Sequence, residues 1–204
     1  MDCQQCWLTI RPSRRNFLRA TSLLAGSAVF GALDARCCET AANQPAGPSG
    51  DSTSVVTIRG HHLFDMLDAL GTGKSSHKTL GPVAQRIRAN PKVPIKLTIG
   101  VDDICGPCEW WDYGKSLCKR GIEEYPRDNE NSLTSDKNAI RVLGVKPGDE
   151  MPADALYRLI QTKVDKKVFA EEVCVACRLV DKCKETYQLK ITAAVKALCS
   201  TQSK

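Results

Sequence analysis

After residue 54 the spacing of hydrophobic and polar positions changes several times, and each change marks an element. Residues 55–59 (Val55, Val56, Thr57, Ile58, Arg59) are β-branched and too few for a helix, which predicts a strand. Beyond Gly60, Leu63, Met66, Leu67 and Leu70 recur at helical spacing, so 61–70 reads as a helix that Gly71, Thr72 and Gly73 stop. Leu80, Val83, Ala84 and Ile87 share one face of a second helix over 79–90, closed by Pro91. Residues 95–101 alternate apolar and polar at period two and predict a strand with one solvated face, which delivers the chain into Cys105. Further helices are predicted over 135–143, 153–164 (Leu156, Leu159, Ile160, Val164) and 187–198 (Tyr187, Ile191, Ala194, Val195, Leu198), with a turn at 144–149. The pattern as a whole predicts a small, helix-rich α+β domain over 55–204 with a short sheet.

Ahead of that domain the pattern is of a different kind. Ser13-Arg14-Arg15-Asn16-Phe17-Leu18-Arg19 precedes a run of small and apolar residues from Ala20 to Ala32, which resembles a twin-arginine leader. About a dozen such residues are too few to span ~30 Å of hydrocarbon. The expectation is a signal peptide over 1–35, cut after Ala35 or alternatively after Ala42, and a chain handled by the twin-arginine export machinery into the periplasm or another extracytoplasmic space. Ala35 and Arg36 precede Cys37 and Cys38, which is not a lipoprotein context, so no stable membrane anchor is expected after processing. Residues 36–54, rich in Ala, Pro, Gly and Ser, read as a disordered linker.

Composition narrows the function. The 204 residues carry 29 Lys and Arg against 23 Asp and Glu, and the leader would remove Arg11, Arg14, Arg15 and Arg19 with Asp2 and Asp34. The remaining excess is small and dispersed, and four Phe and four Tyr offer little for base stacking, which argues against a nucleic-acid partner. Eleven cysteines are too many for an ordinary core and too few for a pure disulfide scaffold. Cys105, Cys108 and Cys118 repeat the grammar of Cys174, Cys177 and Cys183: two thiols separated by two residues, then a third. Such turns aim sulfurs at one point, and soft thiolates select iron–sulfur clusters, zinc or cuprous copper. The expected cofactor is an iron–sulfur cluster, of the 4Fe–4S type, held by four of the six thiols, with zinc or no metal as alternatives. A cofactor loaded before export also suits the leader. Disulfides alone would leave an unpaired thiol, because cleavage after Ala35 keeps an odd number of cysteines.

Cys105-Gly106-Pro107-Cys108 also reproduces the thioredoxin tetrapeptide after a strand, which gives thiol–disulfide exchange as the enzymatic alternative. The second cysteine group and the scarcity of later strands fit thioredoxin poorly. His61 and His62, about 100° apart if helical, would ordinarily present only one ring to a given site. Arg59, His61, His62, Asp65, Asp102 and Asp103 are candidate accessory residues, and Trp110 with Trp111 a hydrophobic cover over the cysteine turn.

Arg59-Gly60-His61-His62-Leu63-Phe64, Asp102-Asp103-Ile104-Cys105-Gly106-Pro107-Cys108, Cys118, Leu143-Gly144-Val145-Lys146-Pro147-Gly148-Asp149 and Cys174-Val175-Ala176-Cys177 with Cys183 together resemble a family of small bacterial and archaeal proteins of unknown function. The resemblance spans about residues 57–186 and implies iron–sulfur ligation but no known reaction; a role in electron transfer would call for a redox partner protein. The family's first motif commonly ends in cysteine where this chain has Asp65, which offers a harder oxygen donor.

Overall fold

The computed structural model describes residues 54–200. The expected leader and nearly all of the expected linker lie outside the described residues. Contacts divide the chain into units 1–42 and 43–204, and every described residue belongs to the second.

The sheet forms from three strands: β1 (Val56–Arg59), β2 (Pro94–Thr98) and β5 (Glu150–Pro152), in the order β1-β2-β5. The first two run parallel, Val56 against Ile95 and Ile58 against Leu97, and β5 runs antiparallel to β2 with Met151 against Ile95. A parallel pair needs a crossover. Here it consists of α1 (His62–Asp65), α2 (Leu67–Thr72) and α3 (Leu80–Ala89). The helix expected over 61–70 is thus two short ones, which meet at Met66 with φ −78° and ψ −12°, and Gly73 in the left-handed region closes the second as the sequence predicts.

A two-stranded hairpin, β3 (Trp111–Asp112) and β4 (Leu117–Cys118), follows β2, and then α4 (Arg120–Glu123) and α5 (Asp128–Leu143). The chain continues through β5 into α6 (Ala153–Lys163), α7 (Lys166–Val168), a π-helical turn (Phe169–Val173) and the long α8 (Val180–Ser200). On α8, Tyr187, Ile191, Ala194 and Leu198 repeat at helical spacing and are buried in the same core as Leu67, Leu70, Leu156 and Ile160. Phe64 packs at 5.7 Å from Phe169, whose ring stacks on Tyr187 at 4.3 Å. These three rings tie α1, the π-helical turn and α8 together; Asp65 follows Phe64, Cys174 lies five residues after Phe169 and Cys183 four before Tyr187. The architecture is α+β, a single small domain with more helix than strand. Among the described residues no helix is long and apolar enough to cross a membrane.

Candidate functional site

The site assembles where β1 and β2 end. Asp102 sits past the end of β2 with its carboxylate fully buried. One oxygen accepts the backbone N–H groups of Ile104 (3.1 Å) and Cys105 (2.8 Å), which turns the chain and aims Cys105. The other accepts the Arg59 N–H (2.9 Å) and lies 2.6 Å from His62 Nδ1. Burial alone would raise this acid, but His62 and the amides of Arg59 and Cys105 outweigh it and hold the carboxyl at about 2. An ionised carboxylate only accepts, so His62 Nδ1 carries the hydrogen.

A second buried acid mirrors the first. Asp136, on α5, is fully buried; one oxygen takes Arg59 Nε (2.9 Å) and Nη2 (2.7 Å), and the other takes the His61 N–H (2.9 Å) and His61 Nδ1 (2.7 Å). Burial opposes its ionisation, yet His61 and Arg59 pull its pKa below the ordinary value. The approach of α5 requires Gly60, because a Cβ there would lie 2.6 Å from the Asp136 carbonyl oxygen. The two rings stand 4.1 Å apart, so the expectation that only one would face the site is overturned. His61, the N-cap of α1, has helical φ −71° and ψ −32°, so the rings are brought together by their side chains, each drawn to its own carboxylate. Burial and the neighbouring ring lower the pKa of His61, whereas Asp102 raises that of His62 against the cost of burial.

Both histidines line a cavity of about 210 Å³ together with Arg59, Cys105, Cys108 and Cys118. Arg120, Tyr125, Asn129 and Arg178 complete much of its wall. Asn129 holds Cys118 by both backbone groups, accepting from its N–H (2.9 Å) and donating to its carbonyl (3.0 Å). Arg178 stacks 3.7 Å over Tyr125 and pairs with Asp128 at 3.0 Å, which brings the loop after Cys177 to the cavity edge. Arg59 Nη1 lies 4.0 Å from the Cys105 sulfur. Burial, and next the facing Asp102 carboxylate, push the Cys105 thiol well above its ordinary value.

The second cysteine group does not line this cavity; it follows the π-helical turn and reaches the start of α8. The π-helical turn closes with the Cys174 N–H on the Phe169 carbonyl (2.9 Å), a backbone form found often at functional sites, and buries Cys174. Cys177 N–H donates to the Cys174 carbonyl (2.8 Å), and Cys183 rides on the first turn of α8. Burial raises the Cys174 thiol, and Cys177, Asp65 and Cys183 raise it further. Asp65 is thus in electrostatic contact with the second cysteine group as well as with the histidine pair. Ligating atoms of His61, His62 and Asp65 fall mutually within 4.8 Å, as do those of His62, Asp102 and Cys105. Among the described residues, no three cysteine sulfurs are that close. All six predicted cysteines are free thiols, as is Cys199.

Not every predicted residue faces the cavity. Asp103 continues β1 pairing, accepting from the Thr57 N–H (3.2 Å) and donating its own N–H to the Thr57 carbonyl (3.1 Å). Neither tryptophan lines the cavity: Trp111 is buried 5.8 Å from the Arg59 guanidinium, and Trp110 takes Arg120 at 5.5 Å. Asp136 escaped the sequence reading. Its signal was present as one acid within the apolar stripe of Ala139, Ile140 and Leu143.

Fold and site define a small α+β domain with two cysteine groups and two carboxylate-anchored histidines. Residues 75–183 match the family described as a protein of unknown function (DUF1284), and the chain belongs to that family. The match takes in all six cysteines and leaves Arg59 to Asp65 outside it. No curated protein and no solved structure matches the chain.

Proposed function

We propose that this is an exported metal-binding protein that holds an iron–sulfur centre on cysteine thiolates and exchanges electrons with a partner protein outside the cytoplasm. The observation that carries the proposal is that two cysteine groups, about 70 residues apart in sequence, are free thiols, one lining the cavity and the other in electrostatic contact with Asp65, whose carboxylate lies with the ring nitrogens of His61 and His62. The donors suit such a centre: free soft thiols, partly buried, with Asp65 as an oxygen donor near Cys174 and Cys183. When bound, the centre supplies one-electron chemistry. The chain's part is to fix the donors through the Asp102 turn and the π-helical turn, and to limit water through the buried surroundings of Cys174. Arg120 and Arg178 at the cavity edge offer cationic contacts to an acidic partner surface.

Thiol–disulfide exchange by Cys105 and Cys108 finds an opposing observation, since exchange needs a depressed thiol pKa and burial moves that of Cys105 the other way. Cys105 also stands in a turn held by Asp102 and not at a helix N-terminus.

Full-length protein purified without oxygen after cytoplasmic expression is expected to be brown, with iron and acid-labile sulfide. Replacing Cys174 by serine should lower both, and Cys199→Ser should lower neither. Colourless protein with one equivalent of zinc would replace the cluster by a structural zinc site. Metal-free protein with stable disulfides would overturn metal binding altogether.

A further inference from the structure

We infer that the cavity at the ends of β1 and β2 is a metal site in its own right, binding one zinc-type divalent ion through His61, His62 and Cys105, apart from the centre held by the Cys174 group. It rests on the metal-binding reading above and divides that reading's donors: the first cysteine group joins the histidines, and Cys174, Cys177 and Cys183 keep the cluster. The argument begins with the two imidazoles. Each hydrogen-bonds through Nδ1 to a fully buried carboxylate, His61 to Asp136 at 2.7 Å and His62 to Asp102 at 2.6 Å. That bond fixes the tautomer with its lone pair on Nε2, and no hydrogen bond among the described residues engages either Nε2. Metal-bound histidines are held in this way, with the second nitrogen donating to a carboxylate. A buried histidine must also satisfy its N–H, but a backbone carbonyl or a water suffices for that. Here two successive residues have a buried carboxylate each, supplied by different elements 40 and 75 residues away in sequence.

The cavity holds the rest of a donor set. A sulfur, a ring nitrogen and a carboxylate oxygen of Cys105, His62 and Asp102 lie within 4.8 Å of one another. Tetrahedral zinc, with bonds of about 2.0–2.3 Å to nitrogen and sulfur, places its donors about 3.3–3.8 Å apart; His62 lies within 4.8 Å of His61 in one group and of Cys105 in the other, so the ion would draw His61 and Cys105 together across the cavity that both line. Cys108 and Cys118 line the same walls and can supply the fourth position. Imidazole with thiolate is the borderline-soft set that zinc and ferrous iron prefer over magnesium or calcium. Charge is also arranged for a cation: Arg59 neutralises Asp136, and Asp102, facing Cys105, remains to balance the ion.

The probe is Co²⁺, added without oxygen to metal-stripped full-length protein. Expected are one bound equivalent, a sulfur-to-cobalt charge-transfer band and the strong visible bands of four-coordinate cobalt. Cys174→Ser/Cys177→Ser should keep this spectrum, and His61→Ala/His62→Ala should weaken binding by about 100-fold or more. In case the histidine variant does not fold, proton NMR of the unaltered cobalt protein gives an independent reading. Two exchangeable, hyperfine-shifted signals from the carboxylate-bound Nδ1–H groups are expected. A cobalt spectrum unchanged in a folded His61→Ala/His62→Ala variant, or the absence of those two signals, overturns the inference. Iron and sulfide lost equally from Cys105→Ser and Cys174→Ser would overturn it too, while leaving the iron–sulfur reading intact.

Discussion

Asp136 is the residue on which the site's geometry depends most. Its two oxygens collect four donors from Arg59 and His61, and nothing else on α5 could replace them. Asp136→Ala leaves a buried guanidinium unpaired and an imidazole without its anchor, and should cost about 3–5 kcal/mol in urea unfolding. A loss below about 1 kcal/mol would mean that Arg59 finds water or another acid. Asp102 gives a pH signature in the metal-free protein. Its pKa is depressed to about 2 in the folded state, against about 3.9 in an unfolded chain. The group therefore contributes its full stabilisation, about 2 kcal/mol, above pH ~4, and this fades as pH falls towards 2. Asp102→Asn should be less stable than the parent at pH 5, and the gap should narrow by pH 2.5 when both are measured by urea unfolding.

At the scale of elements, the junction of β1 with α5 decides whether the histidines are in place. A Cβ on Gly60 would meet the carbonyl oxygen of Asp136 at 2.6 Å and its Cα at 2.8 Å, and backbone atoms cannot rotate aside. Gly60→Ala should destabilise by about 1–3 kcal/mol. Gly100→Ala, where a Cβ meets only Thr98 Oγ1 at 3.8 Å, should stay within about 0.5 kcal/mol in the same thermal melts. Elements carried by an apolar stripe were legible: β1, α3, α6 and the latter half of α8 stand where periodicity predicts them, and β2 does over 95–98 but ends three residues short of the expected 101. The first half of α5 was not. Asn129, Glu130, Asn131 and Ser132 carry no stripe, and that half-helix is fixed by Asn129 on Cys118 and by Arg178 on Asp128. The π-helical turn was equally invisible, since its signature is one hydrogen bond from Cys174 to Phe169 and not a pattern of residue types.

For the molecule as a whole, the proposed centre and the expected leader are linked by the order of folding and export. Export after folding would deliver the domain already metallated, which is why the leader and the cysteines belong to one proposal. Replacing Arg14 and Arg15 by lysine should retain the precursor in the cytoplasm, measured by fractionation and immunoblot. Continued export of that variant would remove the twin-arginine route, though not the metal site.

The sequence alone determined the α+β class, the strand that leads into Cys105 and the two threefold cysteine groups, because local periodicity and short spacing suffice for these. Only the tertiary structure decided that both histidines share one cavity, that Asp136 and Asp102 anchor them, that Asp103 serves the sheet and that Asp65 lies beside the histidine pair. The reason is distance along the chain. The Arg59–Asp136 pair spans 77 residues and the Arg59–Asp102 bond 43, and a hydrogen bond between such partners leaves no trace in the order of residues near either one.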